Sequence, residues 1–303
     1  MHKLLQVRRV QQLFSKYLAQ ASRSQSKFTV DERSTSVMAS GSGGYVQPPK
    51  FFEESLKTSE ALASGQGWQD GMQPIKVLCL HGAGTNNKVM QHQTKDMQKI
   101  LGNKAVFHFV EGTYRWPEHK VDPVIAGLFG DGPYYGWMDA IIDPEKNETT
   151  EMPWGKAMRD PNVWITYRFR DEALQRLSDK IESDGPYDVV MGFSQGSIVT
   201  TMLTALYLKK EGKCPWKYNV QFAGFPVRDN GFREEYMQQK LAHPTLLVYG
   251  RADPFYDWGI TMQRQFEAPL ILEHAEEHRI PKDQGVIKRV CEEMLLHCPT
   301  TKL

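Results

Sequence analysis

The sequence predicts an open, doubly wound α/β domain with a mostly parallel sheet of about six strands. Two observations carry this prediction. After Pro74, short apolar runs without polar alternation recur, as strands buried on both faces require. Each run is followed by a longer segment with helical spacing. That alternation, repeated about six times, marks a sheet layered with helices.

The expected strands are residues 75–80, 105–110, 187–193, 220–225, 245–249 and 270–273. The expected helices are 88–101, 165–183, 195–210, 231–241, 256–266 and 282–297. In the second of these, Phe169, Ala173, Leu174, Leu177 and Ile181 share one stripe, the spacing of a face packed on a sheet. In such sheets ligands bind at the carboxyl ends of the strands, so functional residues are sought there.

Residues 74–303 are read as the folded domain, preceded by a polar linker at 31–73 with Ser-Gly clusters and Pro48-Pro49. Residues 1–30 hold six of the chain's 37 Lys and Arg and none of its 36 Asp and Glu, leaving the remainder about five charges negative. An acidic-leaning body gives no electrostatic footprint for nucleic acid. The basic head is amphipathic at helical pitch and Ser-containing, which fits either a transit peptide or a solvated basic tail. No apolar window is long enough to span a bilayer. Four scattered cysteines, none in a C-x-x-C pair, argue against both a disulfide scaffold and structural zinc. A reducing, intracellular setting is expected: cytoplasm, or a mitochondrion or plastid if the head is a transit peptide.

The chemistry-bearing motif is Gly192-Phe193-Ser194-Gln195-Gly196, a G-x-S-x-G run between an expected strand and an expected helix. Glycines are needed there because the strand-to-helix turn is too tight for side chains flanking the serine. The turn lifts Ser194 above the sheet edge and puts the Gln195 N–H at a helix N-terminus, where a developing oxyanion is stabilised. A serine hydroxyl needs a base, and the base an orienting acid. In α/β-hydrolases these follow in the order Ser, Asp/Glu, His. Asp253 falls just past the strand 245–249 and His278 just past 270–273, both on the edge that carries Ser194. Asp257, His274 and His297 are rivals, read as structural or solvated. The second oxyanion donor is assigned to the Ala83 N–H in Leu80-His81-Gly82-Ala83-Gly84, with His81 bracing that loop.

These residues resemble the signature of the FSH-type serine hydrolases, a eukaryotic α/β-hydrolase family. The likeness rests on Gly185-Pro186-Tyr187-Asp188 through Gly196, Leu78-Cys79-Leu80-His81-Gly82, Gly250-x-x-Asp253 and Glu273-His274-x-x-x-His278-x-Ile280-Pro281. It implies a Ser-Asp-His esterase acting on small carboxylic esters through Ser194, Asp253 and His278, with no metal or organic cofactor. Many members carry Gly-Gly where this chain has Glu276-Glu277. The two carboxylates are expected to bear on the histidine or to repel anionic substrates.

Residues 113–164 hold four of the seven tryptophans and are read as a lid-like insertion, with Tyr134, Tyr135 and Trp137 as expected pocket walls. The alternative is that these rings form only the insertion's own core. Two other functions stay open. One is an acyl-thioesterase or lysophospholipase, because Gly-Phe-Ser-Gln-Gly also occurs in acyl-protein thioesterases. The other is a non-catalytic hydrolase-fold subunit of an organellar assembly.

Overall fold

The computed structural model describes residues 73–299; the basic head, 1–30, and the expected linker, 31–73, apart from its last residue, lie outside the described residues. The described chain enters at β1 (Ile75–Leu80), passes through α1 (Asn87–Gln93) and α2 (Lys95–Leu101), and returns as β2 (Ala105–Val110). It then leaves the sheet and forms two small antiparallel ladders. One pairs β3 (Tyr114–Arg115) with β4 (Tyr135–Gly136), and the other β5 (Asp139–Ile142) with β6 (Ile165–Arg168). Two short helices, α3 (Pro123–Phe129) and α4 (Trp154–Ala157), lie in the connections. The chain rejoins the sheet through α5 (Arg170–Asp184), β7 (Val189–Phe193), α6 (Gln195–Glu211) and β8 (Tyr218–Phe222). It closes with α7 (Asn230–Tyr236), β9 (Thr245–Gly250), α8 (Tyr256–Gly259), β10 (Leu270–His274) and α9 (Gln284–His297).

The sheet has six strands in the order β10-β9-β8-β7-β1-β2, and every adjacent pair is parallel. The strand order reverses between β1 and β7, which makes that gap the switch point where ligands bind. The apolar runs follow from burial on both faces. Leu78 and Leu80 of β1 join Val190, Leu247 and Tyr249 in one core, which α5 and α6 cover. Ile75, Val77 and Cys79 join Val189, Met191, Val220 and Leu246 in the other, under α2 and α9. Each such side chain contributes roughly 1.5–3 kcal/mol on burial.

Four expected helices change, one of them by ending at Tyr236 instead of running to residue 241. Residues 165–168 pair with β5, so the helix expected at 165–183 begins only at Arg170. Phe169 sits at that start with φ +66° and is 39% exposed, outside the stripe of Ala173, Leu174, Leu177 and Ile181. The β-branched pair Ile165-Thr166 found a ladder partner, and pairing overrode the helical spacing. The helix expected at 88–101 is divided at Thr94, whose hydroxyl donates to the Met90 carbonyl at 2.9 Å. The segment expected as helix at 256–266 is one α-helical turn followed by 3-10 helix at Ile260–Gln265.

All four cysteines are free thiols. Burial pushes the Cys291 and Cys298 thiols up to about 12, which makes them poor nucleophiles. Among the described residues no helix is long and apolar enough to cross a membrane.

Candidate active site

The turn from β7 into α6 is built by what it excludes. A Cβ on Gly192 would sit 2.6 Å from the Ser197 nitrogen, and one on Gly196 2.8 Å from the His81 carbonyl oxygen, while clashing with the Leu80 oxygen. Only glycine admits that approach. Between them Ser194 adopts φ +53°, a conformation that costs a non-glycine residue of order 1–3 kcal/mol. The surroundings hold it there. The Ser194 N–H donates to the Phe222 carbonyl at 2.9 Å, and the Ser197 hydroxyl donates to the Gly192 carbonyl at 3.0 Å.

Ser194, His278 and Asp253, widely separated in sequence, meet at this turn. The Ser194 Oγ lies 3.0 Å from His278 Nε2, and His278 Nδ1 lies 2.6 Å from Asp253 Oδ2. Asp253 is 7% exposed, and its Oδ1 accepts the Phe255 N–H at 2.8 Å. A carboxylate held at both oxygens leaves Nδ1 as the protonated imidazole nitrogen and turns the Nε2 lone pair toward the serine. Phe193, Phe225 and Phe255 surround the imidazole, with ring centroids 5.3, 5.5 and 5.8 Å away. These rings pack around an imidazole that stays partly exposed.

The rivals lie elsewhere. His297 stacks on Tyr218 at 4.0 Å, His274 is buried at the end of β10 with Nδ1 accepting the Glu276 N–H, and Asp257 is exposed on α8. Glu276 does not act as a free carboxylate beside the site. Its Oε1 accepts the Lys282 N–H at 2.6 Å and the Asp283 N–H at 3.1 Å, and Oε2 faces Arg279. It therefore ties the loop that follows the histidine.

Ala83 and Gln195 both line a cavity of about 630 Å³ beside the serine. Its other walls are mainly apolar, including Trp116, Met138, Trp154, Tyr167, Phe225 and Trp258. Asp139 and Arg168, which form an ion pair, and Lys120 are the charged groups on its lining. More than half of the lining comes from residues 113–164, and that segment also sends Trp137, Met138, Ala157 and Met158 into the core under α5 and α6. The buried side chains of the segment thus join the core of the sheet rather than forming one of their own.

None of the three side chains expected as pocket walls lines this cavity. Tyr134 is buried with its hydroxyl donating to the Gly130 carbonyl at 2.5 Å. The Tyr135 backbone bridges to the β1 loop, donating to the Thr85 carbonyl at 2.8 Å. Trp137 is fully buried, and its Nε1–H donates to the His81 carbonyl at 2.8 Å. Tyr134 thus ties the insertion to itself, whereas the Tyr135 backbone and the Trp137 indole fasten it to the end of β1.

Sequence reasoning missed that fastening. The Gln195 side chain pairs with the insertion like a strand neighbour: Oε1 accepts the Trp137 N–H at 2.7 Å, and Nε2 donates to the Met138 carbonyl at 2.8 Å. The available signal is the glutamine directly after the serine, whose side chain as well as its backbone N–H faces this turn. His81 is fully buried, and burial pushes its imidazole down to about 4, so it is neutral at pH 7. It braces the β1 loop as expected, donating from Nδ1 to the Gly82 carbonyl at 2.8 Å and accepting the Gly112 N–H on Nε2 at 2.9 Å.

Residues 71–290 match the model of a family described as Serine hydrolase (FSH1). The human esterase OVCA2 is 26% identical over 215 residues, covering 69% of this chain and 90% of that protein. Family of serine hydrolases 3 from Saccharomyces cerevisiae is 25% identical over 225 residues, covering 71% and 82%. A protein named dihydrofolate reductase from Schizosaccharomyces pombe is 28% identical over 244 residues, covering 75% of this chain. The match takes in 48% of that protein, so the chain spans about half its length. Among solved structures, Arabidopsis thaliana SOBER1 aligns with a TM-score of 0.47 at 15% identity, covering 73% of this chain and 99% of that one.

Proposed function

Since the chain belongs to the serine hydrolase (FSH1) family, we propose that it cleaves carboxylic esters through an acyl-enzyme formed on Ser194. The observation that carries this reading is the hydrogen-bonded series from Ser194 Oγ through His278 to Asp253, at 3.0 and 2.6 Å.

In the proposed reaction, Ser194 Oγ attacks the ester carbonyl carbon as His278 Nε2 takes its proton. Asp253 keeps the imidazole in the required tautomer and stabilises the imidazolium. The negative charge that develops on the carbonyl oxygen is met by the Ala83 and Gln195 N–H groups, the second at the amino end of α6. Collapse breaks the bond to the alcohol, which leaves with the proton from Nε2. Water then attacks the acyl-serine, giving up a proton to Nε2, and the acid departs as that proton returns to Ser194. The cavity walled by Trp116, Trp154, Phe225 and Trp258 receives the acyl group, with residues 113–164 as its roof. Each step uses protons and backbone donors already at the site, so the scheme calls for no metal or organic cofactor.

The test is labelling by a fluorophosphonate probe together with turnover of p-nitrophenyl esters of graded chain length. The parent protein labels and turns over, and Ser194→Ala does neither while keeping its melting temperature. Undiminished labelling of Ser194→Ala refutes the assignment.

A further inference from the structure

We infer that Thr85, acting with His81, is a positioning residue for the oxyanion donor: the two side chains hold the Gly82–Ala83 peptide so that the Ala83 N–H faces Ser194. This rests on the ester-hydrolase reading above and adds a residue to it that no sequence motif singled out.

The Gly82 carbonyl accepts two hydrogen bonds, from His81 Nδ1–H at 2.8 Å and from the Thr85 hydroxyl at 2.7 Å. Both donors are buried, at 0% and 7% exposure. The cis peptide bonds of the described residues are at Gly132–Pro133 and Gly185–Pro186, so the 82–83 peptide is trans. In a trans peptide the N–H points away from the C=O. Fixing the carbonyl toward His81 and Thr85 therefore turns the Ala83 N–H to the opposite side. Ala83 and Gln195 both line the cavity. The peptide also lies close against the elbow, for a Cβ on Gly82 would come within 3.4 Å of the Ser194 Cβ.

The donor roles are fixed independently of the peptide. The Gly112 N–H points at His81 Nε2, so that nitrogen carries the lone pair and Nδ1 carries the proton. The Thr85 hydroxyl also lies 3.2 Å from Nδ1, which closes a three-membered cluster around one carbonyl oxygen. Two donors on a carbonyl draw electron density through the amide and make its N–H a better donor. A donor aimed before the reaction begins needs no reorganisation when charge develops. The loop itself is tied by its backbone, with the Tyr135 N–H on the Thr85 carbonyl at 2.8 Å and the Gly84 N–H on the Tyr135 carbonyl at 2.9 Å. Changing the Thr85 side chain therefore leaves those ties in place.

The experiment compares Thr85→Val, which keeps the shape and removes the hydroxyl, with Thr85→Ser, which keeps the hydroxyl. Steady-state kinetics on a p-nitrophenyl ester are measured alongside inhibition by a trifluoromethyl ketone, whose serine adduct carries an oxyanion. For Thr85→Val, kcat falls about five- to twenty-fold, well short of the roughly 10²–10³ lost when an oxyanion donor itself is removed. KM stays within two-fold, ketone affinity drops by the same factor as kcat/KM, and Thr85→Ser restores both. Should the valine variant misfold, Thr85→Ala is read in the same way. Parent-like kcat in the valine variant, a loss confined to KM, or a serine variant as impaired as the valine one each overturns the inference. A parent enzyme that neither labels nor turns over refutes the ester-hydrolase reading instead, and this one with it.

Discussion

Replacing Asp253 with asparagine tests the orientation of the base, and the surroundings of Asp253 dictate how it must fail. Oδ1 accepts the Phe255 N–H at 2.8 Å, and Oδ2 faces His278 Nδ1 at 2.6 Å. An asparagine here has to keep its carbonyl oxygen toward Phe255. The flipped amide would oppose two donors in a buried place, which costs about 1–3 kcal/mol. Its NH2 then points at Nδ1, which becomes the acceptor, and the imidazole proton moves to Nε2. The nitrogen facing Ser194 Oγ across 3.0 Å has then lost the lone pair that takes the proton. The imidazolium also loses its counter-charge. Together these lower kcat by about 10³–10⁴, equivalent to ~4–5.5 kcal/mol of barrier. Because the side chain keeps its size, the melting temperature should move by only a few degrees. The assay is kcat on a p-nitrophenyl ester plus the fluorophosphonate labelling rate, with a thermal melt as control. An Asp253→Asn protein that folds normally and keeps more than about a tenth of parental kcat would refute this account of the acid.

Two further outcomes follow from the same coordinates. Gly196→Ala sets a methyl group against the Leu80 and His81 carbonyls, backbone that cannot give way easily. It should cost roughly 1–3 kcal/mol of stability and displace Ser194 enough to lose most turnover; a denaturation curve and ester kinetics check both, and a parent-like variant would contradict the elbow packing. Burial lowers the His81 pKa from 6.5 to about 4, so between those values the unfolded chain binds a proton at this site that the folded chain does not. Stability should therefore fall as pH drops through that window, by up to about 1.4 kcal/mol per pH unit from this group. Comparing denaturation midpoints of the parent and His81→Asn from pH 7 to pH 4.5 tests it, and parallel curves would contradict it.

What was legible in the sequence follows from where information is local. The strand runs show themselves because burial on both faces removes polar alternation. Ser194 shows itself because only glycines fit on either side. Asp253 and His278 could be placed by counting strands, since each lies in the loop just past one. The insertion is different. Its ladders are two to four residues long, too short for a period to declare which side chains face inward. The directions of Trp137 and Met138 are set by Gln195, 58 and 57 residues away, and no spacing rule reaches that far. Aromatic content marked the region without telling fasteners such as Trp137 from walls such as Trp116. Residues 165–168 fail for a related reason. Their helical spacing is genuine, but a partner strand more than 20 residues upstream decides the outcome.

The nucleophile and its base hang from unlike supports. Ser194 follows an interior strand with neighbours on both sides, whereas the loop bearing His278 follows β10, the outermost strand, which leans on β9 alone. The loop bearing His278 therefore takes its hold from side chains, Asp253 and the Glu276 tie, more than from a second strand. Under the proposed mechanism, a change at the outer margin of the sheet reaches the imidazole through those few side-chain ties, whereas one reaching the alcohol must pass through paired backbone on both flanks.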